Sequence, residues 1–190
     1  MLKQALRQHY KKKRLDIFES EKMKLDDLLL IQLQNLAFNN NIQMLMSYWP
    51  AERHNEMNTL LYTHYLEHII PGLKVLFPVV DFNTNEMQAI LVDDDTNFSE
   101  NKFGIAEPEK GEEIEPQLID VVFVPLLAFD LDGYRVGYGK GFYDRFIKKC
   151  REDVVTIGFS YFEPIDKIED RNGFDVPLNY CITPQNIYEF

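Results

Sequence analysis

The sequence predicts an α/β domain of three layers, in which a mostly parallel, Rossmann-like sheet lies between helices on both faces. Its length of 190 residues suits a single domain that spans residues 1–190. Short β-branched runs alternate with helical patterns, which is typical of parallel strands connected by helices. Ligands of such sheets bind outside the carboxyl ends of the strands, so we expect the functional site there.

The composition excludes several classes of protein. A net charge of −11 repels nucleic acid and anionic membrane surfaces, and no apolar stretch is long enough to cross a bilayer. The amino terminus lacks the apolar core of a signal peptide. We therefore expect a cytoplasmic protein that binds neither nucleic acid nor membranes. Small-molecule substrates and a monomer or weak homodimer are also expected, although composition does not decide either. Cys150 and Cys181 have neither metal-ligand nor disulfide spacing, so we expect free thiols.

Two helices are predicted at the start of the chain. Residues 2–18 form the first, on which Lys3 and Arg7 stand four apart and share one face. These two charges fit either a solvated surface or an anionic ligand, whereas Lys11–Arg14 is predicted to be plain surface. Ser20 is the expected N-cap of the second helix. Its core-facing stripe consists of Leu25, Leu28, Leu29, Gln32, Leu33 and Leu36.

Six β-branched or apolar runs predict the strands. They are Ile42–Met46, Lys74–Val80, Gln88–Val92, Leu118–Pro125, Val154–Phe159 and Tyr180–Thr183, the last of these being the final strand. The fourth run is apolar almost throughout, which is typical of a central strand buried on both faces. Asn39–Asn41 should end the second helix, Asp81–Asn85 should form a turn, and the polar segment Glu109–Pro116 should be a surface loop.

Two short motifs resemble metal-binding sites. His64 to His68 spells His-x-x-Glu-His, the pattern of inverted zinc peptidases, on the helix predicted after residue 56. A third ligand is not evident downstream, so zinc hydrolysis stays a minor alternative. The acidic run that starts at Asp93 resembles a calcium loop, but Phe98 and Gly104 occupy positions that require glycine and glutamate.

The most informative stretch is Gly133–Asp144, which holds four of the nine glycines. A buried strand precedes it, and aromatic and aliphatic residues at helical spacing predict a helix that begins within the glycines. Free amide groups at such a junction suit an anion, and Arg135 and Lys140 add positive charge. The spacing matches neither a Walker loop nor a dinucleotide fingerprint, so from the pattern alone a tight turn remains the alternative.

The residue pattern around Gly133–Asp144 resembles that of a known family. It reads Asp130-x-x-Gly133-x-Arg135-x-Gly137-Tyr138-Gly139-Lys140-Gly141-Phe142-Tyr143-Asp144-Arg145 behind a Val-Pro strand end. This resembles the signature of the 5-formyltetrahydrofolate cyclo-ligase family, also called methenyltetrahydrofolate synthetases. A Lys-x-x-x-Arg start at Lys3, a Glu-x-x-Thr at Glu56 and a Gly-Ile-x-Glu-Pro segment at residues 104–108 extend the likeness over nearly the whole chain. The resemblance implies a fold of the NagB/RpiA/CoA-transferase type.

The resemblance also implies a set of site residues. ATP would be bound by Lys3, Arg7, Arg135, Val136, Gly137, Tyr138, Gly139, Lys140, Gly141, Phe142 and Tyr143. The folate would be bound by Arg7, Glu56, Tyr138, Gly139, Lys140, Gly141 and Phe142. Lys140 and Arg135 would be catalytic, and Asp144 and Asp175 would bind Mg²⁺, which prefers one or two carboxylates.

Each acidic residue also has a simpler interpretation. Glu56 could accept hydrogen bonds from a pterin or could be a first-turn glutamate that favours the helix dipole. Asp144 could instead pair with Arg145 or be a first-turn carboxylate, and Asp175 could be a turn residue. Glu107, extended before a proline, is expected to be structural.

The implied reaction is the ATP- and Mg²⁺-dependent cyclisation of 5-formyltetrahydrofolate to 5,10-methenyltetrahydrofolate. ADP and phosphate are released, and the intermediate is a phosphorylated imidate. A non-catalytic nucleotide- or folate-binding module is the alternative. The chain departs from the family where Leu126 replaces a glycine and Phe142 replaces a tyrosine, and Tyr138 lies at a variable position. Tyr48 or Trp49 could stack on the pterin, but a core position is the commoner outcome for an aromatic residue.

Overall fold

The computed structural model describes residues 1–37, 42–102 and 104–190. The helices in these ranges are α1 Lys3–Leu15, α2 Glu19–Asn35, α3 Thr59–Ile69 and α4 Phe142–Ile147. The strands are β1 Met44–Met46, β2 Lys74–Asp81, β3 Glu86–Leu91, β4 Phe98–Glu100, β5 Ala106–Pro108, β6 Glu113–Ile114, β7 Val121–Val124, β8 Ala128–Phe129, β9 Arg135–Val136, β10 Val155–Phe159, β11 Tyr180–Ile182 and β12 Ile187–Glu189. The predicted break at Asn39–Asn41 lies outside the described residues.

One eight-stranded sheet runs through the molecule in the order β12-β11-β10-β7-β1-β2-β3-β6. The five strands from β11 to β2 pair in parallel, and β12, β3 and β6 add antiparallel edges. The mostly parallel sheet is therefore confirmed. Two edge strands were not predicted: β6 lies inside the expected loop of residues 109–116, and β12 follows the strand that was expected to be last.

The central strand β7 shows why the fold has three layers. Val121 and Phe123 point into a core formed with α2 and α3, whereas Val122 and Val124 point into a second core that includes α4. Successive side chains of a strand face opposite sides, so four consecutive apolar residues require cover on both faces. Helices on both faces of the sheet are thus confirmed.

Helix α2 differs from its prediction in two details. It begins at Glu19 after the extended residue Phe18, so Ser20 lies inside the first turn and the predicted N-cap was wrong. Leu29 and Leu33 are fully buried, but Leu28 of the expected stripe is 40% exposed.

A buried carboxylate, Asp26, connects α2 to α3 and to the segment that follows β10. Its Oδ1 accepts hydrogen bonds from the hydroxyls of Tyr161 at 2.7 Å and Tyr62 at 3.1 Å. Lys22 pairs with its other oxygen at 2.7 Å. Because these partners satisfy the charge, the carboxylate is tolerated in the core.

The described helices include none with the length and apolar character that a bilayer span requires. Cys150 and Cys181 are free thiols, as expected. Burial raises the pKa of Cys150 to about 11, which keeps its thiol protonated and poorly reactive.

Leu126, one of the departures from the family pattern, is part of the core. Its side chain is 1% exposed and packs over Gly158 of β10. A Cβ at position 158 would lie 2.4 Å from Leu126 Cδ2 and 2.8 Å from Leu178 Cδ1. The bulk of Leu126 is therefore accommodated by the absence of a side chain at Gly158.

We predict that Gly158→Ala lowers the free energy of unfolding by about 1–3 kcal/mol, because the added methyl group overpacks this core. In a Leu126→Ala background the same change should cost roughly half as much, since one of the two clashing side chains is gone. Denaturant unfolding of the four proteins of this cycle measures the coupling. Equal costs in both backgrounds would show that Leu126 does not occupy this space.

Candidate functional site

A cavity of about 1060 Å³ opens at the carboxyl end of the parallel strands. Tyr48 and Pro125, which follow β1 and β7, and Val80 near the end of β2 line its sheet side. This is the edge of the sheet at which the sequence predicted a site. The candidate site residues that line the cavity are Lys3, Arg7, Glu56, Arg135, Gly137, Tyr138, Gly139, Lys140, Gly141, Phe142, Tyr143, Asp144 and Asp175.

Val136 is the exception among the candidate residues. It is completely buried and packs with Leu6 and Tyr10 of α1, so its side chain belongs to the core beneath the cavity. Its side chain does not line the cavity, and its expected contact with ATP stays a prediction. The same packing joins α1 to the hairpin of β8 and β9, which leads into the glycine loop.

The glycine loop, residues 137–141, runs between β9 and α4. Gly139 and Gly141 have φ values of +94° and +68°, in the left-handed region that favours glycine. Arg7 Nε donates a hydrogen bond of 3.0 Å to the carbonyl of Gly137. A Cβ on Gly139 would lie only 3.2 Å from the Arg7 guanidinium carbon. The loop thus needs glycine both for its backbone shape and for the approach of Arg7.

Helix α4 begins directly after Gly141, as the sequence predicted. It spans six residues, so its dipole is short and the full charges around the loop carry more of the electrostatic field. Phe142, at its first position, lines the cavity and makes an edge-to-face contact with Phe82 at 5.4 Å. The ring that the family's tyrosine would supply is therefore present here without the hydroxyl.

The cavity's cations differ in what they contact. Lys3 Nζ lies 2.5 Å from Asp175 Oδ2, and Arg135 Nη2 lies 3.1 Å from Asp144 Oδ1. Lys140 is exposed, and its ammonium has no hydrogen-bond or ion-pair partner among the described residues. The ammonium of Lys140 is therefore free to meet an incoming anion.

Arg135 is held within the protein. It also donates a hydrogen bond of 2.6 Å to the carbonyl of Val176. Burial lowers the pKa of its guanidinium, while Asp144 acts in the opposite direction. An arginine stays charged over the whole accessible pH range, so its described contacts serve to fix Asp144 and the Val176 turn.

Each of the two candidate metal ligands, Asp144 and Asp175, uses one of its two carboxylate oxygens for hydrogen bonds within the protein. Asp144 Oδ1 accepts from Arg135 and from the Val176 amide at 3.0 Å, and Asp175 Oδ2 accepts from Lys3 and from the Asn172 amide at 2.8 Å. Within the described ranges the other oxygen of each carboxylate accepts no hydrogen bond. Pairing of Asp144 with Arg145, one alternative from the sequence, is not observed, because its partner is Arg135.

This donor set fits Mg²⁺, which takes one or two protein carboxylates and completes its octahedron with water and phosphate oxygens. No group of three His, Cys, Asp or Glu side chains that could hold a metal occurs in the described part of the chain. His64 and His68 are exposed on α3 and do not line the cavity.

Glu56 is buried, with 5% of its surface exposed, and precedes the N-cap Asn58 of α3. It is therefore not a first-turn glutamate, and that simpler interpretation was wrong. Its Oε2 accepts from the Ala51 amide at 2.7 Å, and its Oε1 accepts a short hydrogen bond from the Tyr138 hydroxyl. The carboxylate faces the cavity from a fixed position.

Arg14 is the residue that the sequence interpretation missed. Lys12 and Lys13 are exposed as predicted, but Arg14 is 2% exposed and bonds to Tyr138 at 2.5 Å. The available signal was its spacing of seven residues from Arg7, which places both on nearly the same face of α1.

Three other predicted residues also line the cavity wall. Trp49 packs against Phe98 with ring centroids 4.8 Å apart, and Tyr48 is buried against the sheet. Glu107, expected to be structural, accepts a hydrogen bond of 3.1 Å from the Val80 amide. Burial raises the pKa of this carboxyl.

A parallel sheet with a glycine loop and a free lysine at its carboxyl end defines an α/β protein suited to an anionic small molecule. The chain belongs to the 5-formyltetrahydrofolate cyclo-ligase family, whose model matches residues 1–184. It is thus an enzyme, a ligase of folate one-carbon metabolism.

Relatives and solved structures agree with this assignment. The chain is 29% identical to a 5-formyltetrahydrofolate cyclo-ligase of Mycoplasma pneumoniae, over 97% of this chain and 100% of that one. It is 24% identical to that of Haemophilus influenzae, over 93% and 94%. The NMR structure of Aquifex aeolicus 5,10-methenyltetrahydrofolate synthetase superposes with a TM-score of 0.81 at 29% identity, over 100% of this chain and 93% of that one. The M. pneumoniae synthetase structure gives 0.75 at 27% identity, over 96% and 98%.

We predict that Gly139→Ala lowers the free energy of unfolding more than Gly72→Ala does. Both glycines have left-handed φ values, so each substitution costs about 1–2 kcal/mol for the backbone. A Cβ at Gly72 meets nothing within 4 Å, whereas one at Gly139 displaces Arg7 and adds about 1 kcal/mol for its hydrogen bond. Denaturant unfolding measures both losses, and equal losses would mean that Arg7 gives way freely.

Proposed function

We propose that the protein catalyses the ATP- and Mg²⁺-dependent cyclisation of 5-formyltetrahydrofolate to 5,10-methenyltetrahydrofolate, with release of ADP and phosphate. The observation that carries this proposal is the composition of the cavity at the carboxyl end of the parallel strands. It combines a glycine loop, the free ammonium of Lys140, the carboxylates of Asp144 and Asp175, each with one unused oxygen, and the buried Glu56. Family membership and the names of the relatives support the same activity.

The chemistry needs no nucleophile from the protein. The formyl oxygen attacks the γ-phosphorus of ATP, the bond to the β-phosphate oxygen breaks, and ADP leaves. The product is a phosphorylated imidate at the 5-nitrogen. The 10-nitrogen then adds to the formyl carbon and loses its proton, and the carbon–oxygen bond breaks to release phosphate. The methenyl bridge remains between the two nitrogens.

Phosphoryl transfer of this kind depends on alignment and on neutralisation of the negative charge on the transferred group. The loop amides from Gly137 to Gly141 and the Lys140 ammonium would neutralise that charge. Arg7 fixes the loop through the Gly137 carbonyl and lines the same cavity. The protein thus supplies a preorganised cradle.

Asp144 and Asp175 would hold Mg²⁺ through their uncommitted oxygens. The ion would screen the charge of the triphosphate and help to align it. Arg135 keeps Asp144 oriented. Lys3 pairs with Oδ2 of Asp175, which leaves Oδ1 for the metal. Lys3 would thereby contact a phosphate next to the metal site.

Glu56 would orient the pterin. Each carboxylate oxygen has two lone pairs, so both oxygens of Glu56 can accept a further hydrogen bond beside those from Ala51 and Tyr138. The amino and ring N–H groups of a pterin present a matching pair of donors.

The test is the absorbance of the methenyl-folate band after the protein is mixed with 5-formyltetrahydrofolate, ATP and Mg²⁺. We expect a rise that requires all three components. If the protein binds both substrates but no band appears, it is a binding module and the catalytic proposal fails.

We predict that Lys140→Ala lowers kcat about 100-fold, because the free ammonium stabilises charge on the transferred phosphoryl group. The affinity for 5-formyltetrahydrofolate should fall much less than kcat does. Lys12→Ala is the matched control, since Lys12 is an exposed lysine outside the cavity. Unchanged turnover in Lys140→Ala would remove Lys140 from the mechanism.

A further inference from the structure

Arg14 lies behind the cavity wall and joins three separate segments. Its Nε donates to the carbonyl of His54 at 2.7 Å, and its Nη1 donates to the carbonyl of Leu126 at 3.1 Å. Its Nη2 donates to the hydroxyl oxygen of Tyr138 at 2.5 Å. Arg14 does not line the cavity, so its effect on a ligand must pass through a neighbour.

The neighbours that connect Arg14 to the cavity are Tyr138 and Glu56, both of which line it. The Tyr138 hydroxyl accepts from Arg14 and donates to Glu56 Oε1, which forms a relay from guanidinium to carboxylate. Arg14 Nη2 itself lies 3.7 Å from Glu56 Oε1 and is the one cation within ion-pair distance of this carboxylate in the described ranges. A buried carboxylate without such a partner is costly, so Arg14 makes the position of Glu56 possible.

The Tyr138 side chain is fixed on several sides. Its ring stacks on His54 with centroids 5.3 Å apart, and the ammonium of Lys11 lies 5.3 Å above it. Burial, followed by the negative charge of Glu56, raises the pKa of the phenol. The hydroxyl therefore keeps its proton and remains a donor to Glu56.

We propose that Arg14 is a positioning residue, which acts through the Tyr138 hydroxyl to hold the Glu56 carboxylate in the orientation that receives the folate. This inference rests on the proposed function, because it takes Glu56 to be the pterin-orienting group. A two-point hydrogen-bond match tolerates little rotation of the carboxylate, so a fixed Glu56 binds the folate at a lower entropic cost.

The first test is Tyr138→Phe, which keeps the ring and removes only the hydroxyl. We expect the Kd for 5-formyltetrahydrofolate, measured by calorimetry without ATP, to rise about tenfold. Tyr161→Phe is the matched control, because it removes a buried hydroxyl from a different carboxylate, Asp26, and neither residue lines the cavity. It should lower the free energy of unfolding and leave the folate Kd unchanged.

The second test replaces Arg14. We expect Arg14→Met to raise the folate Kd about 100-fold and Arg14→Lys to raise it less, because lysine keeps the charge but loses the fork of donors. The Kd for ATP should change less than about twofold in both variants, since Arg14 touches the nucleotide loop only through the Tyr138 hydroxyl. If an Arg14 variant does not fold, the comparison of Tyr138→Phe with Tyr161→Phe still decides the question.

The inference is overturned if Tyr138→Phe binds folate as tightly as the wild type or more tightly. It is also overturned if the Kd values for folate and ATP rise together in Arg14→Lys. Failure of the proposed function has a different signature, which is folate binding by the wild type without formation of the methenyl band.

Discussion

The site depends on the attachment of α1 to the glycine loop. Arg7 bonds to the Gly137 carbonyl, and Arg14, two turns further on, bonds to the Tyr138 hydroxyl. Leu6, just before Arg7, and Tyr10, between the two arginines, pack onto the hairpin that leads into the loop. Apolar and cationic contacts therefore alternate along one helix face. A segment of glycines, which has little conformational preference of its own, is held in one shape by this helix.

Charge is distributed so that an acidic protein can accept an anion. The net charge is −11, yet Lys3 and Arg135 line the cavity and each pairs with a carboxylate, while Arg14 behind the cavity wall pairs with the buried Glu56. These pairs orient Glu56, Asp144 and Asp175. Lys140 lines the same cavity, and its side chain has neither a hydrogen-bond nor an ion-pair partner within the described ranges. The paired cations build the site, and Lys140 is free for the ligand.

The local sequence pattern predicted those elements that depend mainly on interactions between residues close together in the chain. The apolar run before Pro125 gave the central strand, and the glycines before Phe142 gave the start of α4. Tertiary contacts decided the rest. Arg14 stands in a run of basic residues that is typical of surface, and only the packing of α1 shows that it is buried.

The edges of the sheet were also beyond prediction from local pattern. The short strands β6 and β12 exist because an existing strand offers unpaired backbone groups. Roles for Glu56, Asp144 and Asp175 came from resemblance, because a lone carboxylate has no spacing that distinguishes a ligand contact from a turn.

The proposed chemistry makes the formyl oxygen the nucleophile, and an isotope label follows that atom. The enzyme would convert 5-formyltetrahydrofolate that carries ¹⁸O in its formyl group, in the presence of ATP and Mg²⁺. The inorganic phosphate that is released would then be analysed by mass spectrometry. One ¹⁸O atom in each phosphate is the expected result, because the imidate oxygen departs with the phosphoryl group. Unlabelled phosphate, with methenyltetrahydrofolate still formed, would contradict a phosphorylated imidate and mean that the cavity uses ATP in another way.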